Sequence, residues 1–128
     1  MVRLMFVAAT VALLVAGGAP ETDRARAADA FVSAIDDLPV MPGLVEDLDA
    51  AMVFDSPAGR IVEAFAQGNV RAPDVLAFYA ETLPQLGWRP SGTGVFRREQ
   101  EILTVEFPDG ERDGTPLTVR FALAPVPE

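Results

Sequence analysis

An α+β domain is the fold class this sequence predicts: an antiparallel sheet of about five strands with one helix packed on one face. Two observations predict it. The stretch Arg71–Trp88 carries the one strong helical pattern downstream of the N-terminus. The segments on either side alternate with the two-residue period of strands and are separated by short turns, which places them in hairpin order and in antiparallel pairs. The expected order is β-β-α-β-β-β.

The chain opens with Met1-Val2-Arg3, a short basic stretch, followed by the uncharged apolar run Leu4–Val15 and the small residues Ala16-Gly17-Gly18-Ala19. This is the layout of a secretory signal peptide, expected to cover residues 1–27. Cleavage after Ala19 would leave Pro20 first, so Ala25-Arg26-Ala27 is the preferred site. A retained anchor is the alternative, although Leu4–Ala19 falls short of the ~20 residues that span a bilayer. No cysteine follows the run, so a lipid cannot be attached there. The expected location is exported: periplasmic, or anchored in the inner membrane if the segment is kept.

Residues 28–50 read as an apolar and acidic arm. Phe31–Ile35 has the makings of a short helix, and Pro39, Pro42 and Gly43 then interrupt regular structure. Leu38-Pro39-Val40-Met41-Pro42-Gly43-Leu44 is too apolar for a solvated linker. It is expected either to pack over the domain or to dock a partner, and Leu38, Val40, Met41 and Leu44 are the candidate interaction residues.

Residues 51–125 are expected to form a single compact α+β domain. Met52–Asp55 and Arg60–Gln67 flank Ser56-Pro57-Ala58-Gly59, a turn sequence, and read as a hairpin. Ala64 and Ala66 are small enough to let a helix approach. In the helix, Val75, Leu76, Phe78, Tyr79, Leu83 and Leu86 share one face. Pro73 suits the first turn, and Asp74 complements the positive end of the helix dipole. Pro84 should kink or tighten the last turn, and Gly87 should end it in the left-handed conformation. Trp88 then anchors the next segment. After the turn Ser91-Gly92-Thr93-Gly94, Val95–Arg98 and Ile102–Phe107 form a second hairpin. Leu117, Val119, Phe121 and Leu123 alternate with Thr118, Arg120 and Ala122, the pattern of a half-buried strand.

Composition narrows the chemistry. The net charge is -9, with no histidine and no cysteine, and all ten basic residues are arginine. An acidic balance argues against nucleic acid and against an anionic membrane surface. Without Cys there are no disulfides, iron–sulfur clusters or thiol nucleophiles, and without His or Lys no Ser-His-Asp triad or Ser-Lys dyad. No cofactor is expected. Asp109, Glu111 and Asp113, with Gly114 after them, match the early positions of a calcium loop, but position 12 of that loop is Arg120 and the flanks read as strands. They are the weak metal candidate. Asp36-Asp37 and Glu46-Asp47-Asp49 read as solvated acidic clusters. Arg60, Arg97 and Arg98 read as surface cations, with anion binding as the alternative.

Three segments carry a resemblance: Phe54-Asp55-x-Pro57-x-Gly59-Arg60-Ile61-Val62-Glu63-Ala64, then Phe78-Tyr79-x-x-x-Leu83-Pro84-x-Leu86-Gly87-Trp88, then Phe96-x-Arg98-Glu99. Together they resemble a group of small exported proteins of alphaproteobacteria, over most of the mature chain. That resemblance implies export and no activity. The helix and the strand start after it are also similar to helix-grip domains of outer-membrane assembly lipoproteins, whose lipidated Cys is missing here. The functional expectation is an exported, non-enzymatic protein of the cell envelope that acts by protein–protein contact and touches the membrane only through its N-terminal segment, if that segment is uncleaved. The alternative is a small-ligand or calcium-binding module that uses a helix–sheet crevice or the Asp109–Asp113 loop.

Overall fold

The computed structural model describes residues 30–127. The expected signal segment, with both of its cleavage positions, lies outside the described residues.

The α+β class is what the chain adopts, with a seven-stranded antiparallel sheet and one α-helix among the described residues. In chain order the elements are β1 (Val45–Glu46), β2 (Met52–Ser56), β3 (Gly59–Gly68), α1 (Ala72–Thr82), β4 (Arg89–Gly92), β5 (Val95–Arg98), β6 (Glu101–Glu106) and β7 (Leu117–Pro125). The strand count and order therefore differ from the expectation: β1 and β4 are additional. Strand β1 is two residues long, too short for any period to register. Strand β4 reads Arg-Pro-Ser-Gly, a composition depleted in strands. It becomes one through its partner, pairing Arg89 with Arg97 and Pro90 with Phe96 of β5.

The sheet runs β1–β3–β7–β6–β5–β4, and β2 lies beside β3 as well. Strand β1 pairs with Ala66 and Gln67 of β3, while β2 pairs with Gly59 to Glu63. The C-terminal strand β7 sits in the middle, hydrogen-bonded to β3 on one side and β6 on the other.

One face of the sheet supplies Val62, Ala64 and Ala66 from β3, Phe96, Leu103 and Val105 from β5 and β6, and Leu117, Val119, Phe121 and Leu123 from β7, all buried. Against them α1 buries Val75 and Tyr79, with Leu83 just beyond. Pro84 tightens the chain into a 3₁₀ turn over Leu83–Leu86, which Gly87 ends at φ 91°. The Trp88 amide then bonds back to the Leu83 carbonyl at 3.1 Å. The indole is buried to 2% exposure, and the Arg98 guanidinium lies 4.4 Å over it. Leu86, expected on the core face of the helix, is instead exposed at the rim beside Arg89 and Arg98.

The arm does not begin with a helix. Phe31 bridges Pro39, Val32 N–H donates to the Leu38 carbonyl at 2.8 Å, and Val40 N–H to the Ala30 carbonyl at 2.9 Å. Asp37, at φ 61°, turns the loop between them. In this closed loop Val32, Ile35, Leu38 and Val40 all reach the core. One face of a helix over Phe31–Ile35 alone could not deliver that apolar burial.

Candidate functional site

The two faces of the sheet are unequal. Helix α1 and the arm cover one. The register lays three rows of side chains across the other. The first row runs Phe54–Ile61, then Ala124–Ile102–Arg97–Arg89. The second is Met52–Glu63–Ala122–Thr104–Val95, and the third Phe65–Arg120–Glu106. Ile61, Phe65, Val95, Ile102, Ala122 and Ala124 are half-buried, and among the described residues no element packs over them. Arg120 crosses the face as an ion-pair bridge. It donates to Glu106 at 2.8 Å and also to Glu63. The hydrogen bond to Glu63 holds its guanidinium even more firmly protonated than usual. A single cation between two carboxylates leaves Arg120 no positive charge to offer a ligand, whereas Arg97 and Arg89 are exposed at the far end of the face.

The face ends at β2. Met52, Val53 and Phe54 are 46, 48 and 50% exposed, and beside them Val45 and Leu48 reach 74 and 63%. Met52 and Phe54 lie on the open face, opposite Glu63 and Ile61, while Val53 lies on the other side of the strand, opposite Val62. Among the described residues β2 pairs with β3 alone. An edge strand turns alternate N–H and C=O groups toward solvent, a template for another strand. The opposite edge is guarded. Strand β4 carries Pro90, which has no N–H to offer, a register shift between Pro90 and Gly92, and exposed Arg89. Strand β2 has neither proline nor bulge nor cation in its paired residues.

Acidic groups surround the β2 edge. Asp47 accepts from the Asp49 amide at 3.2 Å and opens the 3₁₀ turn Leu48–Ala50 that links β1 to β2. Glu46 accepts from the Ser33 amide and hydroxyl, each at 3.0 Å. Asp55 sits across from Arg60. Behind the β2–β3 turn, Ser56, Pro57, Ala58, Ile61 and Ala124–Pro127 line an open cleft of about 520 Å³.

The residues that the sequence nominates lie elsewhere. Leu38, Val40 and Leu44 are buried in the domain's own core, and Met41, half-buried, keeps part of its surface open. Their apolarity is satisfied inside the molecule, the packed alternative for this arm. Asp109, Glu111 and Asp113 are exposed, and among the described residues no three His, Cys, Asp or Glu side chains converge on a metal-holding position. Glu111 caps the helix instead. Its carboxylate accepts from the Ala72 amide at 2.8 Å at the start of α1, where the N-cap residue Arg71 contributes no side-chain bond. The expected crevice between helix and sheet is filled, because Val75, Tyr79 and Leu83 meet Val62, Ala64 and Phe121 with no exposure on either side. Arg97 and Arg98 take opposite faces of β5. Arg97 stands beside Arg89 on the open face, and Arg98 stacks on Trp88 and lies 3.8 Å from Asp37.

Among the described residues, Tyr79 is the group whose acidity is most strongly displaced. Burial lifts its phenol well above the usual range, and the hydrogen bond from Met41 only partly offsets this. It stays neutral at physiological pH and serves as a structural donor.

The β2 edge is not among the sites expected from sequence, although Met52-Val53-Phe54 carries a signal: three large apolar residues in a row cannot all face one side of a strand. No family model, no curated protein and no solved structure matches this chain.

Proposed function

We propose that this protein is exported to the cell envelope and acts there by protein–protein contact, without catalysing a reaction, through the uncovered face and edge of its sheet. The observation that carries this reading is β2. It places Met52 and Phe54 in solvent, continuous with the half-buried apolar rows of the open face, and Val53 in solvent on its other side, at an edge that is unpaired among the described residues. Contiguous exposed apolar surface on a small domain marks a contact site. Export is supported by the order of a basic start, an apolar run and small residues over 1–27. A non-catalytic role is supported by the absence of His, Cys and Lys, and by a single tyrosine held in the core.

The test has two parts. Fractionation of cells should recover the protein in the envelope, and a photo-crosslinker at position 54 should capture discrete envelope proteins that one at Glu81, on the exposed side of α1, does not. A cytoplasmic protein, or identical products from both positions, would overturn the proposal.

A further inference from the structure

We infer that the β2 edge accepts an extended strand from a different protein, one in which apolar residues alternate with lysine or arginine. This rests on the contact reading above and specifies its partner. Three observations carry it.

The mode follows from the contrast between the sheet's edges. Strand β4 is closed by Pro90 and a bulge, whereas β2 keeps a regular ladder with β3 over Met52 to Ser56 and, among the described residues, offers its other side unpaired. A regular ladder presents evenly repeated donors and acceptors, which an added strand can match with its backbone alone.

The apolar part of the partner follows from the side chains. An added strand places its residues beside those of β2 on both faces of the sheet. Alternation puts its apolar residues on the open face beside Met52 and Phe54 and its lysines or arginines on the other, beside Val53 and Asp55; the three apolar residues of β2 are all about half exposed.

The basic part follows from charge. Asp47, Asp49 and Asp55 are exposed along this edge, with Glu46 beside them and Arg60 the one cation on the β2–β3 hairpin. The chain as a whole carries -9. A second copy would bring the same acidic field against this edge, and potentials of like sign oppose association. Lysine or arginine on the incoming strand relieves the same field.

The experiment uses the purified full chain and three fluorescent peptides of equal length, acetylated and amidated. One alternates lysine with valine, one alternates glutamate with valine, and one is the lysine peptide with a central proline. Binding is read by fluorescence anisotropy at low and moderate salt, and self-association by sedimentation velocity. The lysine peptide should bind, more weakly as salt rises. The glutamate peptide should bind at least about tenfold more weakly, the ratio that corresponds to roughly 1.4 kcal/mol. The proline peptide should lose binding by a similar factor, because it lacks a ladder donor. Asp55→Lys and Asp49→Lys, checked for an unchanged melting temperature, should each weaken the lysine peptide and strengthen the glutamate peptide.

Equal binding of the lysine and glutamate peptides would overturn the charge assignment, and equal binding of the proline peptide would overturn strand addition. Concentration-dependent dimers that Val53→Lys abolishes would assign the edge to a second copy instead. If no peptide binds while the crosslinker at position 54 still captures discrete envelope proteins, this inference fails and the contact reading stands. If neither occurs, both fail.

Discussion

The Tyr79 hydroxyl ties the arm to the helix. It donates to the Pro39 carbonyl at 2.8 Å and accepts from the Met41 amide at 3.3 Å. Its ring meets Phe78 and Phe121 edge-on, at 5.0 and 5.3 Å between centroids. Tyr79→Phe keeps the ring and strands two backbone groups. It should destabilise the fold by about 1–3 kcal/mol, the penalty for leaving a buried partner unsatisfied. Urea denaturation of the two proteins measures the difference.

The same phenol should make the protein alkali-sensitive. Its acidity is suppressed in the folded state, so the unfolded chain loses this proton first. The stabilisation is complete below the unfolded pKa near 10 and disappears as pH rises above that value toward the folded one, at up to about 1.4 kcal/mol per pH unit. The chain has one tyrosine and no lysine, cysteine or histidine, and its arginines stay charged. Denaturation curves between about pH 9 and 11, the range in which a free tyrosine titrates, therefore isolate Tyr79. The slope should vanish in Tyr79→Phe, and a flat profile in the native sequence would contradict the assignment.

Gly68 and Gly43 lie backbone against backbone. A methyl group on Gly68 would collide with the Gly43 carbonyl oxygen, a main-chain atom that cannot swing aside. Gly43 is itself at φ 97°, where a side chain is strained. Gly68→Ala should therefore cost about 3 kcal/mol or more by overpacking. By contrast Gly110→Ala, with nothing within 4 Å of its added carbon, should show only the strain of φ 64°. Comparing the two melting temperatures checks the claim.

Trp88 separates packing from hydrogen bonding. Its indole is buried, yet among the described residues its N–H has no partner. Trp88→Ala should destabilise by about 3–5 kcal/mol through the cavity it leaves. Trp88→Phe should lose distinctly less, because it gives up volume but no hydrogen bond. If both variants stayed fully folded, the ring would belong to a binding site and not to the core.

The helix is legible in the sequence because its apolar positions, Pro73, Pro84 and Gly87 agree with one another. The strands of the two hairpins are legible because alternation survives wherever one face is buried. Strands β1 and β4 are not, since both owe their conformation to a neighbour and not to their own composition. The arm's sequence announces apolarity without saying where it will point. Leu38 and Val40 look as suited to a partner as Met52 and Phe54, and only the three-dimensional packing reveals which pair already has neighbours. Glu111 reads as a metal ligand because its distance in sequence from Ala72 hides the amide it caps.

The placement of β7 has a further consequence. Strands β1 to β3 and β4 to β6 share no ladder except through Leu117–Pro125. The sheet therefore cannot be assembled from the N-terminus onward; both halves wait for the last strand to arrive between them. Folding must pass through long-range pairings, which makes it slow relative to a helical protein of the same size.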